Sequence, residues 1–474
     1  MKYWKIFTIL SLFTLVQCNG RMNHTDYSSI ETVKKGKPVS VMLTCYSTTL
    51  IGNGTDHTHI RIAVVDSLMR QISGATDSID LFVYGNGTIS DTDGNTITYQ
   101  HDSSGANFVP CKLENGVKYL QYTTGDYPDT VKIVARSKGL WEASHELHIL
   151  QADFKKMKPS VSEIMPNHIK VPKMIGADIS WLPQLEARGI KFYENGKVVD
   201  PVKLLAEHGM NFIRLRIFVH PGATDGYAPG TGYCGLKYTL AMAKRVKEAG
   251  MKLLLDFHYS DTWADPQKQY TPESWSKLDY QQLKDTVYAY TVRTLEDFKA
   301  QGTLPDMVQV GNEINHGFLW PMGHISHPDQ LAGLLREGVA GVKAVNPETP
   351  VMMHLALGGQ NQEAKFWLDN MLARGVKFDV IGLSYYPRWH GTLEDLKNNL
   401  HDLALRYHKP IYVAEYSDFK KTVTQISFSE PNGLGKGSCI WEPLNWRSRL
   451  FNKKGKVTPL MDVYNQLHKD YLKN

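Results

Sequence analysis

Val308-Gln-Val-Gly-Asn-Glu-Ile-Asn-His-Gly317 decides how this chain is read. The apolar run that opens at Met307 stops at Gly311, and an amide and a carboxylate, Asn312 and Glu313, follow at once. A parallel strand buried on both faces reads as such a run, and its C-terminal end is where a barrel presents reactive groups. Further along, Pro410-Ile-Tyr-Val-Ala-Glu415 repeats the plan. Two glutamates at the ends of separate strands point to paired-carboxylate chemistry, one group delivering a proton and the other meeting the reacting carbon.

Outward from that stretch, the pattern predicts strands over 173–179, 211–218, 252–258, 307–313, 350–355, 380–385, 411–415 and 438–442. Amphipathic helices separate most of them, among them Leu236 to Ala249, closed by Gly250, and Tyr280 to Ala300, closed by Gly302. Eight such units make an α/β chain with a (β/α)8 TIM barrel. A doubly wound open sheet is the alternative, and the lack of a glycine-rich phosphate loop after the first strand weighs against it. Phe419 to Glu430 is polar and β-branched and leads into Pro431-Asn-Gly433, so the seventh helix is expected to be short or absent.

The region before the barrel alternates in a shorter rhythm. Val39–Cys45, Ile60–Val65, Ser78–Tyr84 and Val131–Arg136 read as strands, with Asn-Gly and Asp-Gly turns at Asn53, Asn86 and Asp93. Residues 19–155 therefore predict an all-β, immunoglobulin-like sandwich, 156–172 a linker with Pro159, Pro166 and Pro172, and 173–474 the catalytic barrel. A spacer role for the sandwich is favoured over sugar binding. Residues 1–18 read as a signal peptide: Lys2 and Lys5 precede an apolar run from Ile6 to Val16 too short to span a bilayer. Leu15-Val-Gln-Cys18 resembles the lipobox of bacterial lipoproteins, in which the cysteine is acylated. The expectation is an exported protein, lipid-anchored through Cys18 to the bacterial outer membrane or cell surface; the alternative is an ordinary secretory peptide with an incidental cysteine.

Composition excludes more than it selects. Hydrophobic residues make up 42% and charged residues 21%, as in ordinary folded proteins, and the net charge of +5 is spread along the chain. No basic run with interleaved aromatics marks a nucleic-acid partner. Neither Cys-x-x-Cys nor His-Glu-x-x-His occurs, so no metal is expected. Cys45 and Cys111 share the N-terminal region, which leaves their pairing open, although scattered cysteines in so long a chain are usually free.

Several stretches together resemble the endo-β-1,4-galactanases of glycoside hydrolase family 53. They are Gly176-Ala-Asp-Ile-Ser-Trp-Leu-Pro-Gln-Leu-Glu186, Arg214-Leu-Arg216, Asp256-Phe-His-Tyr-Ser-Asp-Thr-Trp-Ala-Asp-Pro266, Leu304 to Glu313, Ile381-Gly-Leu-Ser-Tyr-Tyr-Pro387 and Trp441-Glu-Pro443. The resemblance implies endo-acting, retaining cleavage of β-1,4-galactan, the galactose side chains of pectin, with Glu313 as acid/base and Glu415 as nucleophile. It implies substrate-side roles for Asn312, Arg214, Asp178, His258, Trp263, Asp265, Tyr385 and Trp441. Asn312 would bond the sugar 2-hydroxyl, Arg214 would help keep Glu415 ionised, and Tyr385 at the end of strand six would donate to the nucleophile. For Tyr385 and Tyr386 a core role is the alternative reading. Some bacterial members carry calcium in the seventh loop, but 416–433 has no dense oxygen-ligand cluster, and no cofactor is expected. The rival functions are another clan-A β-glycanase, a mannanase or an exo-galactosidase, and a non-catalytic sugar-binding protein.

Overall fold

The computed structural model describes residues 32–164 and 169–473; the expected signal segment with Cys18 lies outside the described residues. The C-terminal part is a closed barrel of eight parallel strands. We label them β1 (Met174–Asp178), β2 (Phe212–Ile217), β3 (Lys252–Phe257), β4 (Met307–Val310), β5 (Val351–Leu355), β6 (Val380–Tyr385), β7 (Ile411–Tyr416) and β8 (Gly435–Trp441). The helices that follow them are α1 (Pro201–Glu207), α2 (Leu236–Glu248), α3 (Tyr280–Ala300), α4 (Pro328–Val345), α5 (Asn361–Leu372), α6 (Leu393–Tyr407), α7 (Lys420–Phe428) and α8 (Asp462–Tyr471). As expected, α7 is short, at nine residues.

Strand alternation sorts each side chain to the lumen or to the helix layer. Met174, Phe212, Leu254, Met307, Met352, Val380, Tyr412 and Cys439, one from each strand, fill the lumen as an apolar plug. Their odd-step neighbours, such as Ile213, Leu215, Leu253, Leu255, Val308 and Ile381, pack outward under the helices. Two residues above the plug the inward positions turn polar: Arg214, Asp256, Gln309 and His354 sit on β2, β3, β4 and β5. The plug thus carries a polar floor at the C-terminal mouth. Register breaks at β7: Leu383 pairs with Val413 but Ser384 with Glu415, leaving Ala414 as the extra residue of a bulge. The bulge frees Tyr416 to pack outward on Tyr464 and turns Glu415 toward the mouth.

The N-terminal part is two β-sheets around one core that includes Val41, Leu43, Ile62, Leu81, Leu120 and Ile133. Its four neighbours in thiol chemistry are spread over both domains: Cys45, Cys111, Cys234 and Cys439 are all buried and free, so Cys45 and Cys111 do not pair. Among the described residues no helix is long and apolar enough to cross a membrane.

The sandwich is docked on the barrel through buried polar contacts. The buried Glu363 at the start of α5 accepts from Thr48 N (2.8 Å), Thr49 N (3.0 Å), Thr49 Oγ1 (3.0 Å) and Ser47 Oγ (3.3 Å). His148 of the sandwich stacks on His316 with 3.8 Å between ring centroids and bonds His324 Nε2 at 3.0 Å. Leu43 N donates to Arg388 O, and Arg388 Nη2 donates to Glu142 O. The connector is also tied down, with Met157 N on Asn370 Oδ1 and Phe154 against Phe366. Buried backbone donors need partners, and here the barrel supplies them to the sandwich.

Candidate active site

Arg214 is the centre of the floor. Its guanidinium, 2% exposed, donates through Nη1 to Glu415 Oε2 (2.7 Å) and Asp178 Oδ2 (3.3 Å). Through Nη2 it reaches Asp256 Oδ2 (2.8 Å) and Asn312 Oδ1 (2.7 Å), and through Nε it reaches Gln309 Oε1 (3.2 Å). A planar fork with five donors can hold five acceptors in one plane, which lysine cannot. Tyr386 Oη donates to the other oxygen of Glu415 at 2.7 Å. Glu415 is therefore fixed at both oxygens, aimed and immobile.

Glu313 lies just past β4 with a positive φ of 49°, a left-handed backbone that costs a non-glycine residue about 1 kcal/mol. Gly311, two residues before it, has φ 83°, and a Cβ there would meet Ile314 Cγ2 at 2.6 Å. The turn holds Glu313 over the mouth, half-buried, while Asn312 beneath it is buried. Burial, and after it the charge of Glu415, push the Glu313 carboxyl well above the usual carboxylate range. The two glutamates thus sit in different surroundings, one gripped by a cation and a phenol and the other disposed to keep its proton.

Both glutamates line a cavity of about 340 Å³ at the mouth, together with Asn312, Trp181, Trp263 and Trp441. The three indoles form a wall: Trp181 and Trp441 are 5.0 Å apart, and Trp263 is 6.3 Å from each. Arg216 stacks over Trp263 at 4.4 Å and ion-pairs with Glu442 at 2.7 Å. Aromatic faces beside fixed hydrogen-bonding groups suit the C–H faces and hydroxyls of a sugar ring.

A family model described as glycosyl hydrolase family 53 matches residues 174–463. The chain belongs to glycosyl hydrolase family 53. It is 41% identical over 312 residues to an uncharacterized protein of Niallia circulans, covering 57% of this chain and 83% of that protein. It is 38% identical over 255 residues to an arabinogalactan endo-beta-1,4-galactanase of Cellvibrio japonicus, covering 52% of this chain and 65% of that enzyme. Among solved structures, the family 53 catalytic domain of Ignisphaera aggregans matches with a TM-score of 0.59 at 33% identity, covering 63% of this chain and 98% of that one.

Within that family frame most of the expected residues converge, though not always in the expected way. Asn312, Arg214, Asp178, His258, Trp263, Asp265 and Trp441 all line the mouth cavity. Asp178 holds the floor together, binding Arg214, Arg216 and Ser180. His258 Nε2 faces Asp256 Oδ2 at 3.0 Å and its Nδ1 accepts from Ala264 N, so both nitrogens are engaged within the protein. Asp256 is held below the usual range by Arg214 and His258 in spite of its burial.

Tyr385 is the correction. It is fully buried and donates to Gly391 O at 3.2 Å, while Tyr386 takes the place at Glu415. Alternation explains it: Val380 lines the lumen, so Ser384 and the residue after the strand face inward and Tyr385 faces the helices. Sequence reasoning also passed over Trp181, Gln309, His354 and Ser384. His354 bridges Asn312 Oδ1 and Ser384 Oγ, each at 2.9 Å, and burial with the nearby Arg214 keeps it neutral. A polar residue interrupting a buried apolar strand, as in Met307-Val-Gln-Val310 and Val351-Met-Met-His-Leu355, was the available signal.

Proposed function

We propose that the chain is an endo-acting, retaining β-1,4-galactanase that cuts galactan and type I arabinogalactan, with Glu313 as acid/base and Glu415 as nucleophile. The carrying observation is the asymmetry between the two strand-end glutamates: Arg214 and Tyr386 grip Glu415, whereas burial and the Glu415 charge raise Glu313. Support for the substrate comes from the relatives named as galactanases. In the first step Glu415 attacks the anomeric carbon as the bond to the leaving oxygen breaks, and that oxygen takes the Glu313 proton. In the second, ionised Glu313 takes a proton from water, whose oxygen displaces Glu415 and restores the original anomer.

Incubation with galactan, arabinan, mannan and xylan, followed by reducing-end assay and product sizing, tests this reading. Galacto-oligosaccharides of several lengths are expected; release of galactose alone, or cleavage of another glycan only, overturns it. The alkaline limb of kcat/KM belongs to Glu313: a raised pKa keeps its proton on, and activity falls as pH rises through that value. In Glu313→Gln that limb disappears.

We also propose that the protein is exported and lipid-anchored through Cys18. The support is Leu15-Val-Gln-Cys18 behind a basic and apolar leader. Incorporation of labelled palmitate into wild type but not into Cys18→Ala tests it, and equal labelling of the two counts against it.

A further inference from the structure

A second cavity, of about 300 Å³, opens on the other side of Glu313. Its wall is shared between the domains: Thr48, Ser144 and Glu146 come from the sandwich, and Asp265, Glu313 and Trp389 from the barrel. It meets the mouth cavity at Glu313 and Asp265 but excludes Glu415, Arg214 and Asn312. That division has a direction. A leaving sugar must lie beside the proton donor and away from the nucleophile, whereas the sugar that becomes attached to the enzyme must contact both.

We propose that this cavity is the binding site for the leaving-group end of the substrate, and that the β-sandwich builds one wall of it. This rests on the galactanase reading above. Its chemistry selects a neutral hexose. Among the described residues no lysine or arginine lines it, while Glu146, Asp265 and Glu313 do. Its histidines are uncharged: burial lowers His145 to about 4 and His390 to about 3, and lowers His316 as well. A uronic acid in this site would face carboxylates with no cation to pair with, whereas a galactose presents hydroxyls that Glu146 and Ser144 can bond. Trp389 supplies the apolar face; it is half-buried on the barrel side and packs against the sandwich core, so its position depends on docking. The two domains therefore act as one binding unit on this side, and the sandwich is a specificity element.

The test uses full-length Glu146→Gln and Ser144→Phe with galactopentaose labelled at its reducing end. The first is isosteric and removes the anionic acceptor; the second fills the cavity. Wild type is expected to release labelled fragments of two or more sugars. In both variants cleavage is expected to move toward the reducing end, with the ratio of long to short labelled fragments falling about tenfold, the size of one hydrogen bond to a charged group. A variant that is merely less stable loses total rate and melts earlier without moving the cleavage position. An unchanged fragment ratio in Glu146→Gln, melting like wild type, overturns the proposal. Failure of wild type to cut the pentaose at all would instead refute the galactanase reading.

Discussion

The floor of the active site and the seam between the domains are both buried and both polar, yet they are built oppositely. The floor concentrates full charges, with Arg214 and Arg216 against Asp178, Asp256 and Glu415. The seam relies on neutral donors and uncharged imidazoles, with Glu363 as its carboxylate under Thr48 and Thr49 and with His148, His316 and His324 stacked beside it. Charges cost several kcal/mol to bury and adhesion alone does not require them. Their presence in the floor, and scarcity in the seam, separates a place where a carboxylate must be aimed from a place where two surfaces must only stay together.

The contrast can be broken at its strongest point first. Glu415→Ala should lower kcat on galactan by about 10⁴-fold or more, as expected for loss of a group that forms the covalent intermediate, with little change in melting temperature. A residual rate within tenfold of wild type would mean that the floor aims some other group. Next, Arg214→Met removes the cation from three buried carboxylates at once. Breaking a buried pair this way costs about 3–5 kcal/mol, read by urea denaturation, and activity should fall as well.

The seam should yield to smaller changes and in a different observable. Glu363→Ala leaves the Thr48 and Thr49 amides without acceptors, at about 1–3 kcal/mol for each buried group. The sandwich should then unfold ahead of the barrel, giving two calorimetric transitions, and one cooperative transition at the wild-type temperature would show that the seam is not held by this carboxylate. The gentlest test is acid. Burial lowers His145 and His324 to about 4 from 6.5 and also holds His148 well below its usual range. Between those values the unfolded chain binds protons that the folded chain refuses, so stability falls as pH drops through that window. Urea midpoints measured from pH 7 to 4 should decline, and a flat profile would contradict neutral histidines in the seam.

The barrel was legible because its strands are short apolar runs ending in polar residues, and the same pattern located Glu313, Asn312 and Glu415, whereas Arg214 followed from the family resemblance. Tyr385 ends the sixth apolar run, but only the inward parity that starts at Val380 picks out Tyr386 as the residue facing Glu415. The docking was not legible at all. Ser47, Thr48 and Thr49 are an unremarkable polar stretch, and Glu363 reads as a first-turn helix glutamate; their meaning arises only when residues more than 300 positions apart in sequence are brought to hydrogen-bond distance. Local pattern carries strands and parity, whereas an interface between domains has no period to read.

The buried thiols give the molecule an unplanned clock. Cys45 and Cys111 sit in sandwich strands, and Cys234 and Cys439 in the barrel, all four unreacted and shielded. An alkylating reagent reaches each only when its own domain opens, so the order in which the four become modified times the opening of one half against the other.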